Sequence, residues 1–199
     1  MGTTVPIKSK GKLTEFRNYY RNAEYHPRNY ALIVLGLNSA LRIGDMLALR
    51  WRDVYRGEGN CRGGEGEYRE HLTVVEKKTG KENVVALNAS SQEALEFYRA
   101  TLNVFDTDAY IFASQKAPYN GIGRSQAFRI IRKAARSCGL DGRVSCHSLR
   151  KTFGYHAWQN GFPPALLMNI YNHSSYDITK KYLCIDQIER DEVYLKTFL

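Results

Sequence analysis

The sequence predicts one α+β domain, mainly helical, with a small antiparallel β-sheet. Three observations carry that reading. Apolar residues recur at helical spacing along most of the 199-residue chain, one stretch alternates as paired strands do, and the length suits a single hydrophobic core. Hydrophobic residues at 43% and charged residues at 25% exclude the disordered and collagen-like classes. No run approaches the roughly 20 apolar residues of a membrane span.

Residues 1–12 read as a basic arm, with the stretch to residue 28 as a lead-in. Tyr30, Ile33, Val34, Leu37 and Leu41 share one helical face. After a break at Arg42-Ile43-Gly44 a second amphipathic run covers 45–51, so two helices are expected to meet near Arg42. Residues 56–66 are too glycine-rich for helix or strand and lack the GK[ST] ending of a phosphate loop, which leaves a surface loop. Beyond it, 72–78 and 82–87 are β-rich runs joined through Thr79-Gly80-Lys81, a tight hairpin with Lys78 at its turn. Helical patterns follow over 91–103, 124–137, 145–160, 164–171 and 178–183, and a last amphipathic segment over 188–199.

Lys and Arg total 29 against 20 Asp and Glu, a formal charge of +9, which points to a polyanionic partner: nucleic acid, anionic lipid or a heparin-like polymer. The first residues lack a secretory apolar core, so a cytoplasmic protein with no membrane partner is expected. Cys61, Cys138, Cys146 and Cys184 form neither a CxxC pair nor a zinc-like spacing, and read as free thiols. No carboxylate cluster suggests a divalent metal, so neither metal nor cofactor is expected.

The candidate chemistry starts in the run 145–156. Ser145 can cap a helix whose apolar face is Leu149, Phe153 and Ala157, leaving His147 and Arg150 together on the neighbouring face. A proton-transfer group beside a planar fork of donors near a helix N-terminus suits a phosphate. Taken alone, HxxR is short, and a solvated pair beside a core stripe is the commoner outcome.

Two further runs change that balance: Asn38-Ser-Ala-Leu-Arg-Ile-Gly-Asp-Met-Leu-Ala-Leu-Arg-Trp-Arg-Asp-Val54 before the HxxR, and Ile170-Tyr-Asn-His-Ser-Ser-Tyr-Asp-Ile-Thr-Lys-Lys-Tyr-Leu183 after it. Together they resemble the catalytic domain of the tyrosine recombinases, the phage-type integrases, from about Asn29 to the C-terminus. The resemblance implies that family's catalytic-domain fold. It makes Arg42 the first arginine of the catalytic set, in a segment similar to "GLRxSE", and Lys78 the hairpin lysine. His147 and Arg150 match HxxR, His173 matches the histidine of "LGHSS", and Tyr182, nine positions later, matches the nucleophile. Departures from the pattern are Ala40 for glycine, Gly44 for serine, Asp45 for glutamate and Tyr171-Asn172 for leucine-glycine. Asp45 is expected to support the active-site arginines. Asn172 suits a left-handed backbone at a helix end. None of these changes removes a catalytic group.

Strand exchange breaks and rejoins a phosphodiester without ATP, and a covalent enzyme-phosphate ester conserves the bond energy between the steps. A free phenol, with a pKa of about 10, attacks poorly unless cations favour the phenolate and the anionic transition state. Arg42 and Arg150 would clamp the non-bridging oxygens, His173 would add a donor, His147 would take the tyrosine proton, and Lys78 would protonate the departing 5′ oxygen. Lys77, Lys81, Lys180 and Lys181 are expected to contact the DNA backbone. Tyr176 is the rival nucleophile, set aside because it falls in the turn before the helix. Fewer than about thirty residues precede the first helix of the resemblance, so no separate core-binding domain is expected within the chain. The resemblance implies double-stranded DNA as partner and a tetrameric synapse of two dimers. The segment 184–199, with Ile188, Val193, Leu195 and Phe198, would dock either on its own domain or on a neighbouring protomer. The activity expected is site-specific recombination for a phage or mobile element. Topoisomerase IB-like relaxation, or a regulator that binds DNA without cutting it, are the alternatives.

Overall fold

In the computed structural model, which describes residues 4–57, 66–116, 119–140, 142–185 and 187–197, helices dominate and two short β-ribbons accompany them. The core is built around α2 (Pro27–Asn38), which has proline in its first turn, where a missing N–H costs nothing. Every residue from Arg28 to Leu37 is buried, because α1 (Lys10–Asn22), α5 (Ala89–Arg99) and α7 (Cys146–Gln159) pack around this helix. Full burial of Leu32, Ile33 and Leu35 contributes about 1.5–3 kcal/mol each. Gly36 permits the closest approach: a Cβ there would stand 2.5 Å from Leu149 Cδ1 of α7. The helix ends before Ala40, whose φ of +54° reverses the chain toward Arg42.

The run 45–51 is not one helix, as its amphipathicity predicts, but two single turns, α3 (Ile43–Met46) and α4 (Trp51–Val54). Between them the backbone is taken by a distant segment: Ile111 N–H donates to Leu49 C=O (3.0 Å) and Trp51 N–H to Ala109 C=O (3.1 Å). Those bonds need extended backbone. The expected single sheet is likewise two ribbons. One pairs β1 (Tyr55–Gly57) with β2 (Gly66–Tyr68), so the ends of the glycine-rich stretch are strands, and residues 58–65, including Cys61, lie outside the described residues. Tyr55 and Tyr68 face each other edge to face, with ring centroids 5.2 Å apart, and hold that pair.

The other ribbon, β3 (His71–Val75) and β4 (Glu82–Ala86), is the hairpin read from the sequence, in the register Leu72↔Val85 and Val74↔Asn83. Leu72 and Val74 point into the core and their neighbours out, as the alternation requires. Gly80, at φ +66°, closes the turn by donating to Glu76 C=O.

The N-terminal segment is a packed lead, not a free arm. Ile7 is buried and its N–H donates to Thr152 Oγ1 (2.9 Å), while Lys151 Nζ donates to Thr4 C=O (2.6 Å). Phe16 and Tyr20 of α1 also enter the core. The remaining helices are α6 (Arg124–Ser137), α8 (Pro164–Ile170), α9 (Tyr176–Leu183) and α10 (Gln187–Lys196). Glu189 of α10 accepts from Lys8 Nζ (2.7 Å) and Tyr155 Oη (3.1 Å) of its own domain, whereas Val193, Tyr194 and Leu195 are exposed. Phe198 lies outside the described residues. Among those residues no helix is long and apolar enough to cross a membrane.

Candidate active site

Arg150, in the second turn of α7, is 1% exposed, its side chain buried against the residues that follow the ends of α2 and α8. Its guanidinium donates through Nη1 to Ala40 C=O and through Nη2 to Tyr171 C=O (2.7 Å). It also lies over the Tyr171 ring at 4.5 Å. The Tyr171 hydroxyl returns a bond to Arg150 C=O (2.8 Å). This fully buried tyrosine stands where the resembling pattern has leucine, and it reaches α7 only because position 154 is glycine: a Cβ there would meet the phenol oxygen at 2.0 Å. Burial, and then the neighbouring Arg42, pull the Arg150 pKa below the ordinary arginine value. Its Nε has no hydrogen-bond partner among the described residues.

Arg42 occupies the N-cap of α3 and forms an ion pair with Glu76, at the end of β3. Glu76 is 1% exposed and also accepts from the Thr79 hydroxyl (2.7 Å). Burial opposes its ionisation, but Arg42, Thr79 and the Asn172 side chain together hold the carboxyl below its ordinary value. Asn172 has φ +52°, the left-handed backbone the sequence allows for it. The acid on the arginine is thus Glu76 and not Asp45. Asp45 is buried and accepts from Lys77 N–H (3.1 Å), so it fixes the lysine hairpin instead. Its side chain, one methylene shorter than glutamate, meets the hairpin backbone that the tertiary fold lays beside it.

Removing Arg42 leaves a buried carboxylate unpaired. Arg42→Ala is expected to cost about 3 kcal/mol at neutral pH, and adding Glu76→Gln to recover most of it, measured by denaturant titration. The folded carboxyl ionises at lower pH than the unfolded one. The pair's contribution is therefore full above about pH 4.3, the ordinary carboxylate pKa, and is lost as pH falls through the lower folded value. Equal stability of Arg42→Ala and the wild type at pH 7 would reject the pairing.

Ser145 caps α7 as its sequence predicts, with its N–H donating to Ser148 Oγ (3.0 Å), which puts His147 in the first turn. Partial desolvation of its ring, then the charges of Arg150, Lys151, Arg42 and Lys78, push the His147 pKa below its ordinary value. His173 is pushed down to about 4, first by burial and then by Arg150 and Arg42. Both shifts favour the neutral imidazole. His173 stacks on Tyr171 (5.0 Å) and meets the Tyr182 ring edge-on (4.7 Å). Tyr182 lies in the last turn of α9, with the Arg150 guanidinium 6.0 Å and Lys151 Nζ 5.6 Å from its ring centroid.

Arg42, Arg150, His173 and Tyr182 are therefore gathered by four separate segments, with His147 and Lys78 within electrostatic reach. Lys78 and Lys81 are exposed on the hairpin turn, Lys77 beside them, and Lys180 and Lys181 on the last turn of α9. Tyr176 is not in a turn before the helix: it is the first residue of α9 and 49% exposed. Glu76, Tyr171 and Thr179 are the site residues that sequence reasoning missed. Glu76 left a signal there as the acid directly before Lys77-Lys78, and Tyr171 as a departure from the motif's leucine; Thr179 left none. Cys138, Cys146 and Cys184 are free thiols.

The fold, with two arginines, two histidines and a tyrosine on the second-last helix, defines a tyrosine recombinase catalytic domain. The phage integrase family model matches residues 12–187, and the chain belongs to that family. It is 38% identical over 187 residues to "Probable integrase/recombinase YoeC" of Bacillus subtilis (strain 168), covering 94% of this chain and 93% of that protein. The crystal structure of XerA recombinase superposes with a TM-score of 0.75 at 20% identity, covering 99% of this chain and 66% of XerA. The XerH recombinase bound to palindromic difH substrate in a post-cleavage complex gives a TM-score of 0.75 at 19% identity, covering 98% of this chain. The chain spans about half, 54%, of the XerH chain.

Proposed function

We propose that this chain is a DNA strand transferase that cuts and rejoins duplex DNA through a covalent 3′-phosphotyrosine, in the service of a phage or mobile element. The observation that carries the reading is Tyr182 set against His173 and the buried Arg150 guanidinium. In the proposed reaction the Tyr182 oxygen attacks phosphorus, the bond to the 5′ oxygen breaks, and neutral His147 takes the phenol proton. Arg42, Arg150 and His173 donate to the non-bridging oxygens as negative charge builds. Lys78 returns a proton to the departing oxygen. No cofactor is needed, because the ester conserves the energy of the broken bond. Lys77, Lys81, Lys180 and Lys181 are assigned to the DNA backbone, consistent with the +9 charge.

Two experiments separate parts of this reading. If Lys78 is the general acid, Lys78→Ala should slow cleavage roughly 100-fold on a normal duplex. It should cleave near the wild-type rate when sulfur, which leaves with little protonation, replaces the 5′ oxygen. Equal defects on both substrates would make Lys78 a phosphate contact.

Self-association is assigned to α10. Its Val193, Tyr194 and Leu195 are uncovered, and an apolar groove lined by Leu13, Phe153, Ala157, Phe162, Leu166 and Ile170 offers a complementary surface on another copy. Such a head-to-tail contact closes into a ring on two DNA sites. Truncation after Asp186 is expected to leave a folded protein that binds single sites but loses synapsis and recombination. Normal recombination by the truncated chain in a two-site plasmid assay would show the helix to be dispensable.

A further inference from the structure

We propose that Thr179 is a positioning residue that holds His173 in the tautomer protonated on Nε2, so that the helix carrying the nucleophile also sets the direction of the histidine's donor. This rests on the strand-transferase reading for its purpose, but its geometry is independent of it. Thr179 is fully buried on α9, three residues before Tyr182, and its Oγ1 lies 3.0 Å from His173 Nδ1. Among the described residues Oγ1 has no other hydrogen-bond partner. The usual alternative for a helical threonine, the carbonyl four residues back, is not used.

The direction of the bond follows from counting protons. A threonine hydroxyl carries one hydrogen, and the neutral imidazole one N–H. If Nδ1–H donated to Oγ1, the threonine hydrogen would be left in a buried place without an acceptor. If Thr179 donates to Nδ1, the buried threonine hydrogen has its acceptor, and the ring's own N–H sits on Nε2, on the part of the half-buried ring that faces away from Thr179. The Tyr171 ring stacked on one side and the Tyr182 edge on the other keep the imidazole from turning over. His173 then offers a donor and no acceptor on its Nε2 side, which is what an anionic phosphoryl oxygen requires. Docking of α9 thus delivers two functions together, the attacking oxygen of Tyr182 and a pre-set donor. An α9 displaced from the domain would lose both.

Long-range proton–nitrogen NMR of the uniformly labelled full chain, without DNA, reads the ring directly. The wild type should show His173 protonated on Nε2 with an acceptor Nδ1. Thr179→Ser should keep that pattern, and Thr179→Val, which matches the shape without the hydroxyl, should shift the Nδ1 resonance as the bond is lost. Single-turnover cleavage of a nicked suicide duplex should fall about tenfold in Thr179→Val. The same rate should stay within about threefold of wild type in Thr179→Ser, with DNA affinity unchanged in both. An Nδ1-protonated ring in the wild type, an unchanged His173 spectrum in Thr179→Val, or wild-type cleavage by that variant each overturns the proposal. Failure of the wild type to form any covalent adduct counts against the strand-transferase reading alone, and the spectrum still decides the tautomer.

Discussion

Tyr182→Phe is expected to abolish the covalent protein–DNA adduct on a nicked suicide duplex in EDTA, while leaving DNA affinity and stability essentially unchanged. The variant deletes one oxygen. Among the described residues the Tyr182 hydroxyl makes no hydrogen bond, and the ring contacts with His173, Tyr171 and Arg150 survive in phenylalanine. Stability should therefore stay within about 0.5 kcal/mol of wild type. Tyr176→Phe is the matched control: that side chain is half exposed in the first turn of the same helix, six residues before Tyr182, and the variant should cleave normally. Persistence of the adduct in Tyr182→Phe and its loss in Tyr176→Phe would exchange the two assignments.

Arg150→Ala should carry the next largest effect, and a double one. Loss of a preorganised cation from the transition state costs on the order of 100- to 1,000-fold in cleavage rate. Loss of the guanidinium also strips the Ala40 and Tyr171 carbonyls of their donors in a buried place, about 1–3 kcal/mol for each group left unsatisfied. Arg150→Lys separates the two. It keeps the charge, but one ammonium cannot reproduce a planar fork that ties α2's end to α8's end. Cleavage should still fall by roughly 100-fold, with an intermediate loss of stability in a denaturant titration. A lysine variant that cleaves at the wild-type rate would show that charge alone, and not the fork, matters at this position.

Asp45 and Glu76 show how far sequence reading reaches. Each is an acid within a short motif, and the motif containing Asp45 pointed to the arginines. The partner of an acid, however, is set by which backbone lies beside it. Lys77 is 32 positions from Asp45, and the fold brings its N–H there, leaving Arg42 to Glu76 across the same hairpin. Tyr171 and Gly154 behave alike: neither is informative alone, and together they make the space in which Arg150 is stacked and bonded.

Properties that depend on spacing along one element were legible in the chain itself. Periodicity gave α2, α6 and α7, the alternation gave the β3–β4 hairpin, and the separation of His147 from Arg150 placed both on one helical face. The positive charge and the ordered motifs pointed to phosphate chemistry for the same reason, since residue type and local order survive folding unchanged. Only the tertiary structure decided the pairings that close over long distances: Arg150 with Ala40, 110 positions away, and Lys151 with Thr4, 147 away. It also split the run 45–51 into two turns, because a segment sixty residues on claimed its hydrogen bonds, and it turned the N-terminal arm into a packed strap, because Ile7 had an apolar surface to bury. A backbone donor takes the acceptor that the whole fold offers, and no local pattern records which one that is.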